Sequence, residues 1–401
     1  MSEKMDSLGI LRIAALHVFV RDLERSRDHY VDRLDFAEVA ASTPFFESEH
    51  RARASVVEAG GARFVFMEPL GSRGESFRWL EKHPEGVGRI VFQVEDAARA
   101  LAILRERRAT LVTPLETRAW DGSEVRWFDI TTAIGDTQFR FLQSSGPVPI
   151  LPGLARSEIR AAGDTNRFGI AEIDHITSNF LTLEPALRWM EEVMGFERYW
   201  EVAFHTRDVG EHAAGGGSGL KSTVMWDRRS GLKFANNEPA APDFEASQIF
   251  LFCEDHHGPG IQHVALRVKD LLTAVKDLRA RGVPFMPTPA TYYDLLPDRL
   301  LAMGVNGIDE DLGSLRDLEV LVDGSAPSRY LLQIFMKEAA DVFKDRQAGP
   351  LFLELLQRKG DDGFGAGNFR ALFESIERQQ RQAARLADPA GPLPPRSSQI
   401  G

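Results

Sequence analysis

The chain has a single cysteine, Cys253, among 401 residues. One thiol cannot build an internal disulfide framework. Basic charge is also short: 48 Lys and Arg stand against 59 Asp and Glu, for a formal net charge of −11. Nucleic acids and anionic membranes call for a basic footprint, so neither is an expected partner. Long apolar runs are missing too. Leu8–Val20 is broken by Arg12 and His17, lacks a signal-peptide cleavage pattern and is too short to span a bilayer. A cytoplasmic protein is expected. The chain is 43% hydrophobic and 27% charged, as soluble globular proteins are, and is long enough for two or three cores.

The sequence repeats itself. "GVGRIVFQVEDAARALAILRERRATLVTPLE" (Gly86–Glu116) matches "GIQHVALRVKDLLTAVKDLRARGVPFMPTPA" (Gly260–Ala290) in its order of glycine, apolar strand, acidic turn residue, helix, apolar strand and Thr-Pro. "IAALHVFVRDLERSRDHYVDRLDFAEVA" (Ile13–Ala40) matches "IAEIDHITSNFLTLEPALRWMEEVMGFERYW" (Ile170–Trp200), each a strand, a helix of 3.6-residue apolar period and a second strand. "TQFRFLQ" (Thr137–Gln143) matches "LFLELLQ" (Leu351–Gln357). Two homologous halves are therefore expected, over residues 1–146 and 169–380. A Gly-, Pro- and Ser-rich linker at 147–168 joins them, and a polar tail follows at 381–401.

Comparing the halves exposes three positions. Allowing a one-residue offset, His17 corresponds to His175; Arg89 corresponds to His263 and Arg140 to Glu354. Two imidazoles and a carboxylate can bind a divalent cation, whereas permanently protonated guanidiniums cannot. Strand parity sets each of His175, His263 and Glu354 among apolar neighbours, where an unpaired carboxylate is costly. This donor set suits a non-haem Fe(II) oxygenase, and also a zinc hydrolase. Other features read more plainly. His256 and His257 precede a Gly-Pro-Gly turn and read as a surface loop; Gly210–Leu220 reads as a flexible loop without a phosphate-binding ending; Cys253 reads as a core residue of an apolar strand.

The motifs "EIDHITSN", "SGLKSTVM", "NNEPA", "SQIFLF", "GPGIQHVAL", "PTPATYYDLL", "RYLLQIF" and "LFLELLQRKGDDGFGAGNFRALFESIE" occur in that order. Over most of Gly169–Glu377 the chain resembles the 4-hydroxyphenylpyruvate dioxygenase family of the vicinal-oxygen-chelate superfamily. The first half resembles the family's degenerate N-terminal domain. The resemblance implies an α+β fold of two tandem open β-barrels built from paired βαβββ modules. It implies one Fe(II) per chain on His175, His263 and Glu354, with O2 as co-substrate and a homo-oligomer. Catalytic roles are implied for Gln248, Gln333, Phe335 and Asn368. A pocket for 4-hydroxyphenylpyruvate would be lined by Ser222, Asn237, Gln248, Gln262, Gln333, Phe335, Phe352, Phe364 and Phe369. The implied reaction is oxidative decarboxylation and ring hydroxylation with side-chain migration, giving homogentisate and CO2 in tyrosine breakdown. The alternatives are 4-hydroxymandelate synthase and a non-catalytic aromatic oxo-acid binding protein.

Three local expectations go with this. Gln333 and Phe335 share a strand face, as do Gln248 and Phe250. Gln262 faces away from His263 in a regular strand. Gly363–Glu377 forms a lid helix capped by Asn368, with Phe369, Leu372, Phe373 and Ile376 along one apolar stripe.

Overall fold

The computed structural model describes residues 7–120, 122–146, 151–160, 166–205, 219–241, 244–365 and 367–368. The first half contributes β1 (Ile10–Phe19), β2 (Ala37–Ser42), β3 (Ala52–Ala59), β4 (Ala62–Pro69), β5 (Gly86–Val94), β6 (Leu111–Trp120), β7 (Ser123–Thr131), β8 (Gln138–Ser144) and β9 (Leu154–Arg160). The second contributes β10 (Glu172–Asn179), β11 (Glu197–His205), β12 (Gly219–Trp226), β13 (Lys233–Pro239), β14 (Gly260–Arg267), β15 (Leu321–Ala326), β16 (Arg329–Phe335) and β17 (Phe352–Lys359).

The sheet orders are β6-β7-β8-β5-β1-β4-β3-β2-β9 and β11-β12-β13-β10-β14-β17-β16-β15. Without β9, one order is the other read backwards, strand for equivalent strand. In each half two βαβββ modules meet along an antiparallel pair, β1·β5 or β10·β14, and the curled sheet forms an open barrel. The acidic turn residues of the repeat cap its helices: Asp22, Asp96 and Asp270 each accept from backbone N–H groups of the following first turn.

Three local expectations fail. The stretch read as linker contains β9, which pairs antiparallel with β2, so part of it belongs to the first sheet. The strand expected after the helix Leu271–Ala280 shrinks to one bridge, Phe285 to Met336, before the chain enters the helices Ala290–Ala302 and Leu312–Asp317. The stretch holding Gln248, Phe250 and Cys253 is a helix, Gln248–Asp255, whose N-cap Ser247 accepts from the Ile249 N–H. Gln248 and Phe250 therefore share no strand face. A short apolar run carries no period that separates strand from buried helix.

His256 is not a surface residue: it is buried, and its ring stacks on His83 of the first half with centroids 4.8 Å apart. The His83 Nδ1 donates to the His256 carbonyl at 2.8 Å, and the His257 Nδ1 donates to the Lys82 carbonyl at 2.8 Å. The two histidines thus join the halves. No helix among the described residues is long and apolar enough to cross a membrane.

Candidate metal centre and substrate pocket

β10, β14 and β17 are neighbours at the middle of the second sheet. They bring His175, His263 and Glu354 together, all three buried, with one candidate ligand atom from each within 4.8 Å of the others. Glu354 Oε2 lies 3.3 Å from His175 Nε2 and 3.3 Å from His263 Nε2.

Each imidazole is held from behind. His175 Nδ1 lies 3.0 Å from Asp174 Oδ1, and His263 Nδ1 lies 3.1 Å from Gln262 Oε1. Both oxygens only accept, so each Nδ1 carries a proton, and each Nε2 is the nitrogen turned toward the common point. Gln262 reaches His263 because the strand is not regular there: the β10·β14 register shifts between Thr177 and Ser178, opposite Gln262. Its oxygen orients a ring, and it is absent from the residues lining the cavity at the triad.

The electrostatics favour a cation. Burial raises the Glu354 carboxyl, but His175 and His263 outweigh it and hold it at about 2. Burial lowers His175, but Glu354 and Asp174 outweigh it and bring it to about 8. The Asp174 carboxyl is held far below the usual range despite burial, chiefly by Arg358 and His175.

The register corrects one sequence equivalence. β1·β5 pairs Ala15 with Val91 and His17 with Arg89; β10·β14 pairs His175 with Ala265 and Thr177 with His263. The irregularities fall at matching places in both ladders. His175 therefore corresponds to Ala15, and His17 corresponds to Thr177. The other two equivalences hold, since Arg140 lies opposite Val91 as Glu354 lies opposite Ala265. Ala15, Arg89 and Arg140 thus occupy the three positions in the first barrel. Arg140 makes a two-pronged bond to Asp129 at 2.7 and 2.8 Å, while Arg89 holds Glu75 at 2.5 Å. Ion pairs fill the space where the second barrel gathers its triad.

A small cavity lies at the triad, lined by His175, His263, Gln333, Phe335, Glu354 and Phe364. Gln333 Nε2 donates to Glu354 Oε1 at 2.8 Å, and Gln333 Oε1 accepts from Asn368 Nδ2 at 2.8 Å. Asn368 is buried, and its Oδ1 accepts from the Tyr292 hydroxyl at 2.8 Å. Its side chain is thus engaged inside the barrel. Phe352 stacks on the His263 ring at 4.9 Å, behind the ligand. Phe364 lies 4.9 Å from the His175 ring, backed by Trp200 and Tyr199. Gln248 is buried on a helix packed against β13 and β10. Phe369 and the helix expected after it lie outside the described residues.

Ser222 and Asn237 face each other across β12·β13, and Asn237 faces Asn179 across β10·β13. Asn237 Nδ2 donates to Asn179 Oδ1 at 3.0 Å. Ser222 Oγ, Asn237 Oδ1, Asn179 Nδ2 and Thr177 Oγ1 are buried without a hydrogen-bond partner among the described residues. Orphaned buried polar atoms are expensive, and a row of them marks a place built for a ligand or for water. The matching register positions of the first half hold Phe19, Ala54 and Met67 in place of Asn179, Ser222 and Asn237. Asp174, Asn179, Tyr292 and Arg358 were not singled out from sequence. All four lie within the quoted motifs, but pairing Asp174 with Arg358 needs the fold.

The family model described as "Glyoxalase/Bleomycin resistance protein/Dioxygenase superfamily" matches residues 10–135 and 172–296, one stretch in each half. The chain is 35% identical over 333 residues to 4-hydroxyphenylpyruvate dioxygenase of Caenorhabditis elegans, covering 80% of each chain. It is 32% identical over 386 residues to 4-hydroxyphenylpyruvate dioxygenase of Coccidioides posadasii, covering 91% of this chain and 92% of that one. Among solved structures, a mutant of 4-hydroxymandelate synthase from Streptomyces coelicolor superposes with TM-score 0.76 at 26% identity, covering 93% of this chain and 99% of that one. In sequence, repeat architecture and buried triad alike, the chain belongs to the 4-hydroxyphenylpyruvate dioxygenase family.

Proposed function

We propose that this chain is an Fe(II)-dependent 4-hydroxyphenylpyruvate dioxygenase that takes its 2-oxo acid from the substrate itself and forms homogentisate and CO2. The observation that carries the reading is the triad: two imidazoles with Nδ1 engaged and Nε2 converging on one buried carboxylate oxygen. This donor set fits a divalent cation, and His175, His263 and Glu354 would hold it. Bound there, Fe(II) would supply open positions for the oxo acid and for O2, and the redox chemistry that side chains lack.

The chain's own residues supply the rest. Phe335 and Phe364 wall the cavity with aromatic faces suited to a phenol ring. The orphaned groups of Ser222, Asn237, Asn179 and Thr177 offer hydrogen bonds for the polar ends of the substrate or for ordered water. Gln333, fixed on both sides by Glu354 and Asn368, is preorganised beside the triad. Phe364 covers His175 and excludes water from the reacting centre.

The second reading is 4-hydroxymandelate synthase, favoured by the structural likeness to that enzyme. Product identity separates the readings. The protein is loaded with Fe(II) without oxygen, then given O2 and 4-hydroxyphenylpyruvate. Homogentisate with one CO2 per O2 consumed supports the proposal. 4-Hydroxymandelate selects the second reading, and tight oxo-acid binding without product means a binding protein.

A further inference from the structure

Arg358 stands at the end of β17, its side chain 10% exposed. Its Nε and Nη2 grip Asp174 at 2.8 and 2.7 Å. Its Nη1 donates to two backbone carbonyls of the following segment, Asp361 at 2.9 Å and Gly363 at 2.8 Å. Both sets of bonds lead to His175. Asp174 Oδ1, held by Arg358, is also the acceptor for His175 Nδ1. Gly363 precedes Phe364, whose ring covers the same imidazole.

We infer that Arg358 is a positioning residue that couples the orientation of His175 to the seating of its Phe364 cover, so that metal loading and closure of the Asp361–Phe364 segment reinforce each other. The guanidinium is planar and rigid, so its three anchored edges cannot shift independently. If the segment lifts, the two carbonyl bonds break and the fork on Asp174 loosens. If His175 turns away, the Asp174 oxygen it shares with Arg358 is freed to move. Lysine cannot reproduce this geometry, having one flexible point charge in place of a fork.

An independent observation supports the inference. The register equivalents of Asp174 and Arg358 in the first half are Ala14 and Ser144; Ser144 pairs with Val125 of β7 as Arg358 pairs with Leu331 of β16. The half without the triad lacks both members of the link. Other bonds to the segment do not pass through the triad: Lys233 Nζ and the Tyr199 hydroxyl both donate to the Asp362 carbonyl at 3.2 Å.

The inference rests on the metal reading of the triad, and the experiment separates the two. Full-length protein is titrated with Co(II), and amide hydrogen exchange is followed over residues 359–368 with and without the metal. In the unsubstituted chain, metal is expected to slow exchange in this segment. Arg358→Lys should weaken Co(II) binding about tenfold, the lower end expected for loss of an outer partner of a ligating imidazole. It should also abolish the metal-dependent slowing. Asp174→Asn preserves shape and an acceptor oxygen, and should weaken Co(II) binding and the slowing together. Unaltered metal-dependent slowing in Arg358→Lys overturns the coupling, whether or not affinity falls. Retention of one tightly bound Co(II) per chain in His175→Ala overturns the metal reading instead.

Discussion

The Gln333 amide donates to Glu354 Oε1 at 2.8 Å, leaving Oε2 as the carboxylate oxygen that faces both imidazoles. One neutral side chain thus sets the rotation of the triad's carboxylate. Gln333→Leu removes that donor and strands the Asn368 amide as well. Loss of a partner from a buried charged acceptor costs about 1–3 kcal/mol. Metal affinity should fall roughly tenfold or more, measured by Co(II) titration, while the thermal unfolding transition stays cooperative. Unchanged affinity would show that the carboxylate is held by its other neighbours.

Glu354→Ala, His175→Ala and His263→Ala should each abolish turnover and sharply lower bound metal. His17→Ala should leave metal content unchanged, because the first barrel holds Ala15, Arg89 and Arg140 at the ligand positions. Metal content per chain measures both outcomes. Full activity of any triad variant at limiting iron would sink the assignment.

The repeat made these positions legible, with limits set by strand irregularity. Arg89 against His263 and Arg140 against Glu354 survive because both strands of each pair keep step. His17 against His175 fails because the alignment allowed an offset just where the true register matches an alanine to the histidine. Gln262 looked misdirected because a bulge cannot be seen in an alternating pattern. Gln248 was assigned the wrong element, since an apolar run as short as Ile249–Cys253 suits helix or strand. His256 looked exposed because the stacking partner that buries it, His83, lies in the other half. Asp174 and Arg358 stayed hidden for a similar reason: a long separation in sequence gives no hint of a two-pronged bond.

Phe335→Ile should change the product more than it changes metal binding. The Phe335 ring lines the triad cavity, 6.0 Å from the His263 ring and edge-on to Phe352. A smaller branched side chain loosens the hold on an aromatic substrate. The expected outcome is some 4-hydroxymandelate, or CO2 released without homogentisate, with Co(II) affinity kept. A homogentisate-to-CO2 ratio equal to that of the unsubstituted chain would count against Phe335 as the residue that sets ring position.

Asp323 offers a pH test away from the triad. Burial raises its carboxyl to about 6, partly offset by the Gly367 N–H and the Arg299 guanidinium. The folded chain therefore binds this proton more tightly than the unfolded chain. The stabilisation is full below the ordinary carboxylate pKa and is lost as pH rises through about 6. Asp323→Asn removes that loss. Denaturant unfolding of the metal-free protein should show the variant gaining about 2 kcal/mol relative to the unsubstituted chain between pH 4.5 and pH 8, because part of the shift of about two pKa units is already expressed below pH 4.5. A difference that does not vary with pH would place the titration elsewhere.

Two truncations separate the parts of the cover. Deleting everything from Gly363 onward removes Phe364 from the face of His175 and Asn368 from Gln333. It also removes one of the two carbonyls held by Arg358. The strands carrying the triad end before this point, since β17 closes at Lys359, so the barrel should still fold and bind metal with reduced affinity. Homogentisate yield should collapse, because water would then reach the reacting centre. Deleting only from Phe369 onward keeps Phe364, Asn368 and both carbonyls. It removes the apolar stripe of Phe369, Leu372, Phe373 and Ile376 proposed as the lid. Thermal unfolding, bound metal and product are measured on both proteins. Collapse of yield in both assigns closure to the helix after Asn368. Collapse in the first alone assigns it to Phe364 and the segment Arg358 anchors. Normal turnover after the longer deletion removes the cover from the mechanism, and outright unfolding makes the segment structural first.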